Sequence, residues 1–239
     1  MDSYDVVDKM EYPSEDQIDE YEAFMITGSR ADAYAQVKWI MKLRAFIVHL
    51  AKNHPRVKIF GLCFGHQVIS AALGGKSVFN GKWELGPTKV HLTDTGKKVF
   101  GTQRDELTLH EIHQDIVPFV PQAFHLLGSS PVTMNQGVVS FNGAKYCFTP
   151  ELAPNSHSIT TFPSSLTEIH ILTVQSHPEF TKPIVVELVN SMLSEPGKIS
   201  DAEKADLERR MKALERSEGD GLVIGRTLWK ILGVGWEDQ

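Results

Sequence analysis

Val57-Lys58-Ile59-Phe60-Gly61-Leu62-Cys63-Phe64-Gly65-His66-Gln67 is the stretch on which the reading of this chain turns. An apolar strand runs into Gly-x-Cys-x-Gly and then into a helical pattern over Phe64–Leu73, which Gly74-Gly75 stops. This is the layout of a nucleophile elbow with cysteine in place of serine. A sharp strand-to-helix turn strains the backbone at the nucleophile, and side chains two residues to either side would collide, hence Gly61 and Gly65. The Cys63 thiol would stand at a helix N-terminus, whose dipole favours thiolate over the ordinary pKa of about 8.5. Free N–H groups there can also receive an oxyanion. The plainer alternative is a buried, inert cysteine at a strand end; the flanking glycines weigh against it.

Outward from the elbow, short apolar runs alternate with amphipathic stretches, the pattern of an α/β fold with a mainly parallel sheet. Strands are expected at Tyr4–Val7, Ala23–Thr27, Val57–Leu62, Thr88–Leu92, His125–Leu127, Val138–Phe141 and Ile169–Gln175. Tyr34–His54 carries a helical apolar face through Val37, Ile40, Met41, Leu43, Phe46, Ile47 and Leu50. Helices are also expected over Lys182–Leu193, Asp201–Glu215 and Leu222–Leu232. Residues 142–167 are rich in Ser, Thr and Pro without a period, and read as a loop insertion. The expected organisation is therefore a domain over residues 1–195 followed by a helical extension over 196–239.

A cysteine nucleophile needs a histidine base, usually held by a third polar group. Among ten histidines, His177 stands out because it follows the apolar run Ile169–Gln175 in Ser176-His177-Pro178-Glu179. In an extended backbone, residues 177 and 179 point to the same side, and Pro178 favours extension in the residue before it. Glu179 is then placed to orient His177, although His-x-Glu alone fits a surface turn equally well. His110 and His113, with Glu111 and Asp115 nearby, lack the companions of a metal motif, so no metal site is expected there. They read instead as the polar lining of a pocket.

The net charge of −6 speaks against nucleic acid or an anionic membrane as partner. Apolar runs such as Ala45–Ala51 are far too short to span a bilayer. Met1-Asp2-Ser3-Tyr4-Asp5 has neither the basic nor the apolar part of a secretory signal. A cytoplasmic protein with Cys63 and Cys147 as free thiols is therefore expected.

The elbow, taken together with Gln175-Ser176-His177-Pro178-Glu179-Phe180, resembles the class I glutamine amidotransferases. The likeness is strongest to their stand-alone branch, which includes plant γ-glutamyl peptidases and fungal and bacterial homologues. Ile26-Thr27-Gly28-Ser29-Arg30-Ala31-Asp32-Ala33-Tyr34, Leu73-Gly74-Gly75-Lys76, Glu84-Leu85-Gly86 and His113-Gln114-Asp115 support it, and it covers most of residues 4–141 and 169–193. The resemblance implies a doubly wound, flavodoxin-like, mostly parallel sheet with flanking helices. It also implies that a strand and helix expected ahead of Tyr4–Val7 are missing, which would leave an unpaired sheet edge.

For function, the resemblance implies a Cys63–His177–Glu179 triad and a glutamyl thioester on Cys63. The backbone N–H groups of Gly28 and Phe64 would form the oxyanion hole, Gln67 would hold the substrate, and His113 and Gln114 would lie near the same pocket. No cofactor and no metal are implied. The expected activity is hydrolysis of a γ-glutamyl amide or peptide bond. Two alternatives stay open: a glutaminase subunit feeding ammonia to a separate synthase, and an inactive homologue with a binding role.

Overall fold

The computed structural model describes residues 1–146, 148, 162–197, 199–214 and 219–235. The expected insertion at 142–167 therefore falls largely outside the described residues, as does Cys147. The described elements are α1 (Glu15–Ile18), β1 (Ala23–Ile26), α2 (Lys38–Asn53), β2 (Lys58–Leu62), α3 (Phe64–Ala72), β3 (Val78–Leu92), α4 (Asp94–Phe100), β4 (Glu106–Ile116), β5 (His125–Leu126), β6 (Gly128–Ser129), β7 (Gly137–Phe141), β8 (Ile169–Val174), α5 (Lys182–Ser194), α6 (Asp201–Leu214) and α7 (Gly221–Ile231).

The main sheet runs β1-β2-β8-β7-β5. β1, β2 and β8 are parallel, whereas β7 and β5 are added antiparallel, so the sheet is mixed. Alternation along each central strand divides its side chains between two cores. Ile59, Val138 and Ile171 face the core beneath α2 and α3. Phe60, Leu62, Val139, Leu172 and Val174 face the opposite core, which Ile224 and Ile231 of α7 help to close. Helices thus cover both faces, as expected of a doubly wound fold. α2 fits its side because Ile40, Leu43, Ile47 and Leu50, all buried, recur at helical spacing.

Two expectations are corrected. Tyr4–Val7 is not a strand: the Asp5 carboxylate accepts the N–H groups of Val7 and Asp8 at 3.1 and 2.9 Å and folds the segment into a turn. Residues 88–92 are only the end of a much longer strand, β3, which pairs antiparallel with β4 in a second sheet ordered β4-β3-β6. Nothing in the sequence reading marked β4.

The last helices dock on this framework. Leu207 of α6 packs with Leu85, Val185, Val189 and Met192, and Arg210 Nη1 donates to the Pro87 carbonyl at 2.7 Å. Asp220, just before α7, takes both arms of Arg104 at 2.7 and 2.8 Å and accepts the Thr108 N–H at 2.7 Å. Among the described residues, no helix is long and apolar enough to cross a membrane.

Candidate active site

Cys63 leaves β2 with φ 51° and ψ −104° and caps the N-terminus of α3. Its own N–H donates to the Val174 carbonyl at 3.0 Å, and its carbonyl accepts from Gln67 N at 3.1 Å. The turn is tight enough that neither neighbour tolerates a side chain. A Cβ on Gly65 would lie 2.0 Å from the Ile26 carbonyl oxygen, and one on Gly61 would lie 2.7 Å from the Gly65 carbonyl carbon. The flanking glycines are therefore required by backbone contact, as the elbow reading anticipated.

Leu62 and Val174 are register partners at the carboxyl ends of neighbouring parallel strands. Cys63 and the segment holding His177 consequently emerge side by side. That segment is pinned by Gln175 N donating to Gln136 O at 3.0 Å and His177 N donating to His110 O at 2.8 Å. His177 Nδ1 lies 2.7 Å from Glu179 Oε1, which leaves Nε2 as the free ring nitrogen. The Phe180 ring stacks on the imidazole with centroids 4.1 Å apart and planes 7° from parallel. Gly28 abuts the same ring: a Cβ there would come within 2.7 Å of His177 Cε1. Orientation of the imidazole is fixed from three directions.

The thiol is not poised as a thiolate. Cys63 is 6% exposed, and burial pushes its pKa up to about 12, with the charges of Glu111, Glu179 and Asp115 adding to it. A hydrogen bond from the Phe64 N–H, the first amide of α3, opposes the rise without cancelling it. The helix terminus favours the thiolate as the sequence suggests, but burial and the acids on the second sheet outweigh it.

Gln67 sits one turn into α3 and donates its side-chain amide to the Asp115 carbonyl at 2.9 Å and to Gln175 Oε1 at 3.3 Å. Both amide hydrogens are used within the protein, so its carbonyl oxygen is what it can offer a ligand. His113 lies among buried charges. Its Nε2 is 3.2 Å from Glu84 Oε2 and 3.3 Å from Glu111 Oε2, and its Nδ1 is 3.0 Å from the Asp115 carbonyl. Burial works against the charged imidazole, but Glu111 and Glu84 raise the His113 pKa to about 9. Glu111 goes up to about 7, chiefly by burial and partly offset by His113. Burial also disfavours the Glu84 carboxylate, yet His113 and nearby hydroxyls hold its pKa below the usual value; Gln136 Nε2 donates to it at 2.8 Å. Gln114, the neighbour of His113, is half-buried. Asp115 rises to about 6 through burial and its hydrogen-bonded contact with Asp32.

Glu84 and Asp32 carry no mark of a site role in the sequence, whereas Glu111 is marked only as part of a polar pocket lining. Glu111 and His113 carry a usable signal, since residues two apart on a strand share a face, but only once β4 is known to be a strand.

A profile of the class I glutamine amidotransferase family matches residues 6–159. The chain is a member of that family. Cys63, Gln67 and His113 lie inside the matched region, and His177 and Glu179 lie after it. A glutamine amidotransferase-like protein of Schizosaccharomyces pombe is 33% identical over 209 residues, covering 87% of this chain and 70% of the yeast chain. Gamma-glutamyl peptidase 3 of Arabidopsis thaliana is 29% identical over 229 residues, covering 93% and 76%. A solved glutamine amidotransferase from Thermotoga maritima shares the fold with a TM-score of 0.62 at 18% identity, covering 92% of this chain and 82% of that one.

Proposed function

We propose that this amidotransferase-family protein hydrolyses a γ-glutamyl amide or peptide bond, with Cys63 as nucleophile, His177 as base and Glu179 as its orienter. The observation carrying this reading is the Glu179-held imidazole beside the elbow, with the 2.7 Å contact at Nδ1 leaving Nε2 for the thiol. Because the free thiol is held protonated by burial and neighbouring acids, proton transfer accompanies attack and no preformed thiolate is needed. Sγ bonds to the γ-carbonyl carbon as His177 Nε2 takes the thiol proton. The Gly28 and Phe64 N–H groups receive the oxyanion. His177 then passes its proton to the leaving nitrogen as the C–N bond breaks, giving a glutamyl thioester and a free amine. Water, deprotonated by His177, attacks the thioester and releases glutamate with the thiol restored.

The half-buried Asp115 beside the exposed Asp32 supports the glutamyl part of the assignment, since two neighbouring carboxylates attract the α-ammonium of such a substrate. Similarity to a plant γ-glutamyl peptidase supports the hydrolytic outcome.

The test is glutamate release from a γ-glutamyl dipeptide and from glutamine by purified protein, beside a Cys63→Ala control. Release from the dipeptide is expected, reduced by about 10⁴-fold or more in the variant. Silence on both substrates, with ammonia formed from glutamine only after a synthase is added, overturns the hydrolase in favour of an ammonia-supplying subunit.

A further inference from the structure

At the opposite end of β2 from Cys63, Glu15 of α1 meets His49 and His54 at the end of α2. On an unbroken helix, residues five apart lie about 140° from one another and do not share a face. Here Pro55 disfavours helical geometry in the residue before it, and His54 leaves the helix at φ −123° and ψ 61°. The break swings the His54 ring back toward His49, bringing the two Nε2 atoms within 3.3 Å. Glu15 completes the group, with Oε2 at 2.9 Å from His49 Nε2 and Oε1 at 3.0 Å from His54 Nε2.

We propose that Glu15, His49 and His54 bind a divalent borderline metal ion, zinc being the best match, with water as the fourth ligand. Two nitrogens and one carboxylate suit zinc, whereas magnesium and calcium prefer all-oxygen shells. Donors bound about 2.0–2.1 Å from a tetrahedral ion lie about 3.3–3.4 Å apart, the separation of the two Nε2 atoms. A second, independent feature is the outer shell. Asp19 Oδ1 sits 2.9 Å from His54 Nδ1, and the Asn53 amide sits 2.9 Å from His49 Nδ1. Asn53 needs only a half-turn of its amide to accept that N–H. Outer partners of this kind fix the tautomer that turns Nε2 lone pairs toward a metal. His54 is buried while the Glu15 side chain is 65% exposed, so the ion has a protein floor and an open entry for water. Its position indicates a clip that fastens the segment carrying α1 to the end of α2.

The experiment is titration of the metal-stripped full chain with zinc, and separately with cobalt(II), followed by calorimetry and visible absorption. One ion per chain, tetrahedral cobalt d–d bands without thiolate charge transfer, and a rise of about 5 °C in Tm at high zinc are expected. Magnesium should do nothing, Asp19→Asn should weaken binding about 10–100-fold, and His49→Ala and His54→Ala should abolish it. His49 lies nearer the surface, so its variant carries the test should His54→Ala fail to fold, and circular dichroism of both metal-free variants verifies folding. Cys63→Ala should bind normally. Absence of cobalt bands, binding that survives both histidine changes, or binding lost in Cys63→Ala overturns the proposal, the last by assigning the ion to the elbow.

Discussion

β2 delivers Cys63 to the candidate site after a run of buried residues that do nothing but pack, whereas β4 carries its chemistry inside the strand, where His110, Glu111 and His113 are all buried. The first is held by backbone against backbone, Gly65 on the Ile26 carbonyl, and has no room for an added atom. The second is held by charge against charge, and its atoms are replaceable while its protons are not. The candidate site thus has a steric wall and an electrostatic wall, which should fail under different insults.

Gly65→Ala is the sharpest attack on the steric wall. Its new Cβ would stand 2.0 Å from a backbone oxygen that cannot move without shifting β1. A loss of roughly 5 kcal/mol or more, read as failure to recover folded protein, is expected. A stable Gly65→Ala protein with an unchanged denaturation midpoint would show that the α3–β1 approach is looser than described.

On the electrostatic wall, His113→Ala leaves Glu84 and Glu111 buried without their cation, and should cost about 3–5 kcal/mol. The same pair makes stability pH-dependent. The folded His113 pKa is raised from 6.5 to about 9. Its contribution is therefore complete below pH 6.5 and lost as pH climbs through 9. Glu111, raised from 4.5 to about 7, acts in the same direction over the range between those values. Denaturation midpoints should accordingly fall from pH 6.5 to 9 in the native protein, and His113→Gln should be less stable but flatter over that range. Parallel pH curves for the two proteins would remove His113 from the account.

The smallest expected effect is the most diagnostic of coupling between the walls. Glu111 is, after burial itself, the leading cause of the raised Cys63 pKa. Glu111→Gln removes that charge while keeping the shape, so iodoacetamide labelling of Cys63 should shift to lower pH, by about one unit. Labelling profiles that superimpose would mean that the thiol is set by burial alone.

The same contrast explains what was legible in the sequence. Gly61, Cys63 and Gly65 mark the elbow because a backbone collision leaves only one residue type possible, and His177-x-Glu179 follows from extension before Pro178. β4 escaped because the apolar alternation of Leu107 and Leu109 gives way from His110 onward to buried polar residues, so the usual mark of a strand breaks off where the site needs charge. Tyr4–Val7 misled in the opposite way: its residues suit a strand, but the Asp5 side chain captures two N–H groups that a strand would have used. Glu15, His49 and His54 converge through a helix end and a 39-residue separation, which no local pattern encodes.

The contact between α7 and the His177 segment bears on the order of synthesis. A Cβ on Gly221 would sit 2.4 Å from the Pro178 carbonyl oxygen, and Asp220 N donates to Thr108 O at 2.8 Å. The His177 segment therefore rests on a brace that leaves the ribosome after it, long after Cys63. A growing chain can form the elbow early, yet the imidazole stays without this brace until residue 221 has emerged.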